Sequence, residues 1–156
     1  SFALALILLN ACSTSETKQL YSPDKKLRIE LSQPESQLHF SVIFHADTLM
    51  ADSPIGLVMN NINLSENIKV TDWIESSTDE SWQAINGKNK EVRNHYNEYR
   101  LTLTSQENEN IGYQLIFRCY NDGFAYRYNI QNQKTNTPIS ISQEITKLNL
   151  INDFTW

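Results

Sequence analysis

Glycine is scarce in this chain, with four residues among 156. None falls in a GxGxxG run or in a GxxxxGK run closed by Ser or Thr, so a nucleotide-cradling loop has no support. Basic residues are in deficit as well: 13 Lys and Arg face 18 Asp and Glu, a formal net charge of −5. Nucleic acid is therefore excluded as a partner on electrostatic grounds, because phosphate binding needs clustered Lys and Arg. The apolar run at residues 2–9 falls well short of the roughly 20 residues of a transmembrane helix. The length excludes a complete (β/α)8 barrel, which takes roughly 250 residues. No Ser sits in a GxSxG elbow and no Cys–His pair stands out. What is present is globular: 40% apolar, 10% aromatic and 20% charged residues, one domain's worth of chain with neither a disordered nor a coiled-coil composition.

The run Phe2-Ala3-Leu4-Ala5-Leu6-Ile7-Leu8-Leu9 carries no charge and ends in Asn10-Ala11-Cys12. It fits the apolar core of a secretory signal, and the residues up to Cys12 resemble a bacterial lipobox. Residues 1–11 read as a lipoprotein signal peptide that lacks its charged leader, with Cys12 the lipidated residue. Several acyl chains on one thiol give a firm anchor where one would be marginal. Ordinary signal cleavage near the same point is the plainer alternative. Residues 12–20 read as a tether, and the expected address is an exported bacterial lipoprotein on the periplasmic or cell-surface side of a membrane. With Cys12 lipidated, Cys119 is left alone in a strand pattern and reads as a small buried hydrophobe.

Beyond the tether, nearly every segment has period 2. Leu27, Ile29 and Leu31 alternate with Arg28 and Glu30; Leu38, Phe40, Val42 and Phe44 with His39, Ser41 and Ile43. The same alternation runs through Tyr99–Leu103, Tyr113–Cys119 and Phe124–Tyr128. Each is the signature of a half-buried strand. Ser22-Pro23-Asp24, Gln33-Pro34-Glu35 and Asn121-Asp122-Gly123 carry turn chemistry, the last being the strongest hairpin signal. Many short strands without helical periodicity predict an all-β antiparallel sandwich.

Chemistry-bearing constellations are few. His39 and His45 are six apart, so on one straight strand they stand roughly 20 Å from each other, too far to share an ion. His95 has no second ligand at metal spacing. Asp72, Glu75, Asp79 and Glu80 cluster in a polar stretch that reads as a solvated loop. The segment Asp79–Tyr99 gathers Trp82, His95, Tyr96, Asn97 and Glu98 among amides and charges. Aromatic faces beside hydrogen-bonding groups suit sugar recognition, because sugars offer both CH faces and hydroxyls. A structural loop that packs Trp82 on the sandwich edge accounts for the same composition.

Several of these pieces recur in order. Ser22-Pro23-Asp24, Ser53-Pro54-Ile55-Gly56-Leu57, Glu80-Ser81-Trp82, Gly87-Lys88, Val92-Arg93-Asn94-His95-Tyr96-Asn97-Glu98 and Phe117-Arg118-Cys119-Tyr120-Asn121-Asp122-Gly123-Phe124-Ala125-Tyr126-Arg127-Tyr128 together resemble glycoside hydrolase family 97. The resemblance implies that residues 21–156 are the incomplete N-terminal part of a galactose-mutarotase-like β-supersandwich. In such enzymes the sandwich precedes a catalytic (β/α)8 barrel and a small C-terminal β domain. It implies an exo-acting, calcium-dependent α-glycosidase acting on α-glucosides or α-galactosides, either inverting or retaining. Catalytic residues and the oligosaccharide site would lie in the barrel, downstream of Trp156. No catalytic or calcium-binding residue is assigned within this stretch; Trp82, His95, Tyr96, Asn97 and Glu98 are its candidate carbohydrate contacts. Two other readings stand beside it: a free-standing glycan-binding lipoprotein, and a structural envelope lipoprotein without ligand.

Overall fold

A computed structural model describes residues 17–84, 91–130 and 138–152. The apolar run, Cys12 and Gly87-Lys88 lie outside the described residues. The first sheet forms in chain order from β1 (Lys18–Tyr21), β2 (Leu27–Ser32), β3 (His39–Phe44) and β4 (Asp47–Pro54), each antiparallel to the next. A short hairpin, β5 (Leu57–Met59) and β6 (Ile62–Asn63), follows. The second sheet contains β7 (Ile68–Gln83), β8 (Glu91–Ser105), β9 (Gly112–Cys119) and β10 (Phe124–Asn129), again as sequential antiparallel neighbours. The last strand, β11 (Ile141–Glu144), returns to pair with β5. No α-helix occurs among the described residues.

The period-2 pattern predicts which faces meet. Leu27, Ile29 and Leu31 of β2 and Phe40 and Val42 of β3 point to one side. They pack against Tyr99, Leu101 and Leu103 of β8 and Tyr113, Leu115 and Phe117 of β9. Phe40 stands between the sheets, its ring 6.1 Å from Phe117 and 6.0 Å from Phe124. Full burial of each such side chain stabilises by roughly 1.5–3 kcal/mol. Cys119 is fully buried in the same core, as its strand pattern predicts, and burial pushes its thiol up to about 12, which keeps it an unreactive hydrophobe at neutral pH. The expected antiparallel sandwich is the fold.

The turn motifs explain themselves. Ser22 N–H donates to Leu27 O at 2.9 Å while its hydroxyl donates to Asp24 at 2.7 Å, and Asp24 accepts Lys26 N–H at 3.1 Å. In Asn121-Asp122-Gly123, Tyr120 N–H reaches Gly123 O at 2.8 Å. The Asn121 amide oxygen accepts Asp24 N–H at 3.0 Å, tying a turn of one sheet to a turn of the other. Gly56 is needed for space, since a Cβ there would lie 2.3 Å from Ser65 Cβ.

Three differences from the sequence reading have physical causes. Gln33-Pro34-Glu35 is a turn that tightens into a single 3₁₀ turn, Pro34–Ser36. β1 begins at Lys18, within the segment read as tether, because Leu20 is fully buried under the second sheet. β4 escaped detection because bulges on either side of Val42, with Asp52 at φ 49°, break its alternation.

Candidate functional site

The polar stretch from Asp72 to Glu80 is a correction. It forms part of a 16-residue strand, β7, rather than a solvated loop. Its partner β8 runs opposite it from Ile68↔Ser105 to Gln83↔Glu91. Polar residues persist in β7 because it is an edge strand whose far half has no sheet to cover it among the described residues. β9 pairs with β8 only from Asn97 to Thr104. Thr78–Gln83 and Glu91–Tyr96 therefore continue as a two-stranded arm, roughly 20 Å long at about 3.3 Å per residue.

Strand alternation divides the five candidate residues between two faces. Asn97, opposite Ser77 and Cys119, faces the core side. Its amide donates to Tyr21 O at 2.9 Å, and the Tyr99 hydroxyl accepts Tyr21 N–H at 3.0 Å, so both clasp β1. His95 shares that face, opposite Asp79. Arg93 grips Asp79 with two hydrogen bonds of 2.7 Å, which with the nearby His95 hold the Asp79 carboxyl below its ordinary range.

Tyr96, Glu98 and Trp82 point the other way, away from the core. Glu98 is 4% exposed despite its outward aspect. Arg118 Nε lies 2.7 Å from one carboxylate oxygen and Arg100 Nε 2.8 Å from the other. Burial works to raise the Glu98 pKa, but the hydrogen bonds from Arg118 and Arg100 outweigh it and leave the carboxyl below its ordinary value. Arg118 also lies over the Tyr96 ring, 4.4 Å from its centroid, and Tyr120 packs on Tyr96 at 5.3 Å. Trp82 is 49% exposed and lies opposite Val92, which is four residues along β8 from Tyr96. The structure thus joins Tyr96 to Glu98, places Trp82 farther out on the same face, and turns His95 and Asn97 away.

Arg100, Arg118 and Tyr120 were missed as members of this cluster. The i, i+2 spacing of Tyr96, Glu98 and Arg100 was a usable signal; the cross-strand approach of Arg118 was not, because register is a tertiary property.

The other carboxylates of the polar stretch are committed to local bonds. Glu75 accepts the Trp73 indole N–H at 2.7 Å, Asp72 accepts Trp73 backbone N–H at 2.9 Å, and Glu80 accepts the Asn94 amide at 2.8 Å. A cleft of about 630 Å³ opens at the sandwich edge beside Lys18, Leu31, Gln33, Ile68 and Trp73. None of the five candidates lines it, and the Trp73 ring is already faced by Lys18 Nζ at 5.2 Å. His39 holds Asp52 at 2.6 Å and Gln37 at 3.0 Å, and the strand ends before His45, whose φ is 56°. No group of three or more His, Cys, Asp or Glu able to hold a metal ion occurs among the described residues.

Comparison with known proteins places this geometry. Residues 20–156 match the family model described as glycosyl-hydrolase 97 N-terminal. A retaining alpha-galactosidase of Bacteroides thetaiotaomicron is 30% identical over 155 residues, covering 97% of this chain and 22% of that protein. A glycoside hydrolase family 97 enzyme from Pseudoalteromonas sp. strain K8, solved in complex with panose and with acarbose, superposes with a TM-score of 0.78. It is 25% identical, over 86% of this chain and 20% of that one. A crystal structure of a beta-arabinopyranosidase shares the fold, with a TM-score of 0.77, 24% identity and coverage of 85% and 21%. The chain spans about a fifth of the length of these relatives.

Proposed function

The chain belongs to the glycosyl-hydrolase 97 N-terminal family, and from that premise we propose that it serves as the non-catalytic sandwich domain of an exo-acting α-glycosidase. The observation that carries this reading is the family match across residues 20–156, joined to a fold shared with larger family 97 enzymes. The substrate class is an α-galactoside or α-glucoside. The similarity to the Bacteroides alpha-galactosidase supports the first, and the likeness to an enzyme solved with panose supports the second.

In this reading the catalytic acid and its partner lie in another domain. Glycoside hydrolysis needs two carboxyls held across the scissile bond at a set separation. Here Asp79 and Glu98 are both held ionised by Arg, and Glu75 and Glu80 are bound to neighbouring side chains. Calcium dependence belongs to the same reading, and the described residues hold no group of three or more His, Cys, Asp or Glu that would bind the ion by themselves. Cys12 carries lipid and anchors the enzyme on the periplasmic or cell-surface side of a membrane.

The test is to read the frame beyond Trp156, express the whole product, and assay it and the 156-residue chain on aryl α-galactosides and α-glucosides. Turnover by the whole product and none by the short chain is expected. Metal-dependent turnover by the short chain would overturn the assignment. Replacing Cys12 with Ser should move the protein to the soluble fraction; continued membrane association would remove the anchor.

A further inference from the structure

The two sheets part at one edge of the sandwich, where β1 and β7, edge strands of different sheets, stand across the cleft of about 630 Å³. That volume falls inside the roughly 300–1,000 Å³ of small-molecule sites. Its floor is core: Leu31, Leu38, Ile68 and Leu101 are each at most 3% exposed. Its walls are polar. Gln33 follows β2 and Gln106 follows β8, one from each sheet, and both amide nitrogens donate to Ile68 O, at 2.6 and 3.1 Å. Their amide oxygens remain as acceptors. Thr71 bulges from the β7 ladder between Val70 and Asp72, and bulges re-aim the side chains beside them. The Trp73 indole N–H donates to Glu75 at 2.7 Å and its ring packs on Tyr99 at 5.8 Å, so the ring is held in place before a ligand arrives.

This lining selects a ligand chemistry. Lys18 and Asp72 bring opposite charges to the rim, and Lys69 is ion-paired with Glu109. An anion therefore meets Asp72, and a cation meets Lys18. A hydrocarbon chain would leave the glutamine oxygens dehydrated and unpaired. A neutral polyhydroxylated ligand has none of these faults. Its hydroxyls donate to the amide oxygens and accept from Lys18, while its CH faces lie on Trp73 and the apolar floor. Lys18 Nζ stands 5.2 Å from the Trp73 ring centroid. A cation–π contact at a partly exposed site is weak, so the flexible lysine stem yields its place to a sugar ring and donates to a hydroxyl instead.

We propose that this cleft binds a neutral α-linked oligosaccharide, with Trp73 as the ring platform, Gln33 and Gln106 as acceptors and Lys18 as the donor at the mouth. The inference rests on the function proposed above, which supplies the α-linked class, and adds the site. The arm takes no part in it, since none of Trp82, His95, Tyr96, Asn97 and Glu98 lines the cleft.

Oxidation of the 156-residue chain by N-bromosuccinimide, mapped by peptide, reads Trp73 and Trp82 separately. Maltotetraose and stachyose are the α-glucosyl and α-galactosyl probes, and glycerol at the same hydroxyl concentration is the control. At about ten times its half-protecting concentration, one of the two sugars should slow Trp73 oxidation about tenfold, because about a tenth of the sites then stand empty. Trp82 should react at an unchanged rate. Gln106→Ala, at an exposed position, should raise the half-protecting concentration about tenfold, as for one lost hydrogen bond. Unchanged Trp73 and Trp82 rates without sugar will show that this variant is folded. Failure of both sugars to protect Trp73 would overturn the proposal, as would equal protection by glycerol or an unchanged half-protecting concentration in Gln106→Ala. Protection of Trp82 in place of Trp73 would overturn it by putting the glycan on the arm. In the whole product, a Trp73 that fails to react even without sugar would overturn it by showing the cleft filled by another segment. Hydrolysis of either probe by the 156-residue chain would instead overturn the functional reading, so the two failures are distinguishable.

Discussion

The two halves of the β7–β8 hairpin have the same strand geometry and opposite surroundings. In the half from Asn97 to Ser105, Tyr99, Leu101 and Leu103 are buried against the first sheet, and β9 covers the second edge of β8. In the half from Glu91 to Tyr96, only Tyr96 is buried, and the opposing β7 residues from Asp79 to Gln83 are exposed throughout. The contrast shows that backbone pairing alone makes a ribbon, whereas a second layer turns a ribbon into a core. The first half stabilises the domain; the second is left largely exposed among the described residues.

The contrast can be broken first at the core. Phe117→Ala removes a ring that touches both Phe40 and Tyr126 and should cost about 3–5 kcal/mol in denaturant unfolding. A loss below about 1 kcal/mol would mean that the two sheets do not share a core.

At the boundary between the halves, Glu98→Gln leaves Arg100 and Arg118 without their common carboxylate. A loss of about 1–3 kcal/mol is expected, with the Tyr96 environment altered in near-ultraviolet circular dichroism. An unchanged midpoint would show that the pair is solvated.

The same residue sets an acid response. Its folded pKa is below the unfolded carboxylate value of about 4.3. Its stabilising contribution is thus fully present above that value and disappears as pH falls through the folded pKa. Melting temperature should drop more steeply below about pH 4 in the native chain than in Glu98→Gln. Parallel profiles would remove Glu98 as the source.

The smallest effect belongs to the arm. Trp82→Ala in the 156-residue chain should change stability by less than about 0.5 kcal/mol, because the indole is half exposed. A loss of core size would show that Trp82 packs within the domain, and the comparison between halves would fail.

Legibility followed burial. β2, β3, β9 and β10 were visible in the sequence because one face of each is buried and the other wet, which writes period 2 into the residues. β7 was not, because beyond Trp73 this edge strand is largely exposed on both faces, which places no apolar constraint on alternate positions, and Asp72–Glu80 read as loop for that reason. β11, with all four residues exposed, was hidden likewise. Of the candidate site, Tyr96 and Glu98 do stand together. His95 and Asn97, though adjacent in sequence, fall on the opposite face because successive strand residues alternate.

By itself, the sequence determined β2, β3, β9, β10 and the core-facing half of β8, the turns at Ser22-Pro23-Asp24 and Asn121-Asp122-Gly123, and the family. All of these rest on local periodicity, local hydrogen bonding and an ordered series of motifs. Tertiary structure alone decided that Arg118 meets Glu98 and that Trp82 stands free on an arm. Both depend on cross-strand register and on where a neighbouring strand stops, and neither leaves a periodic trace in the chain.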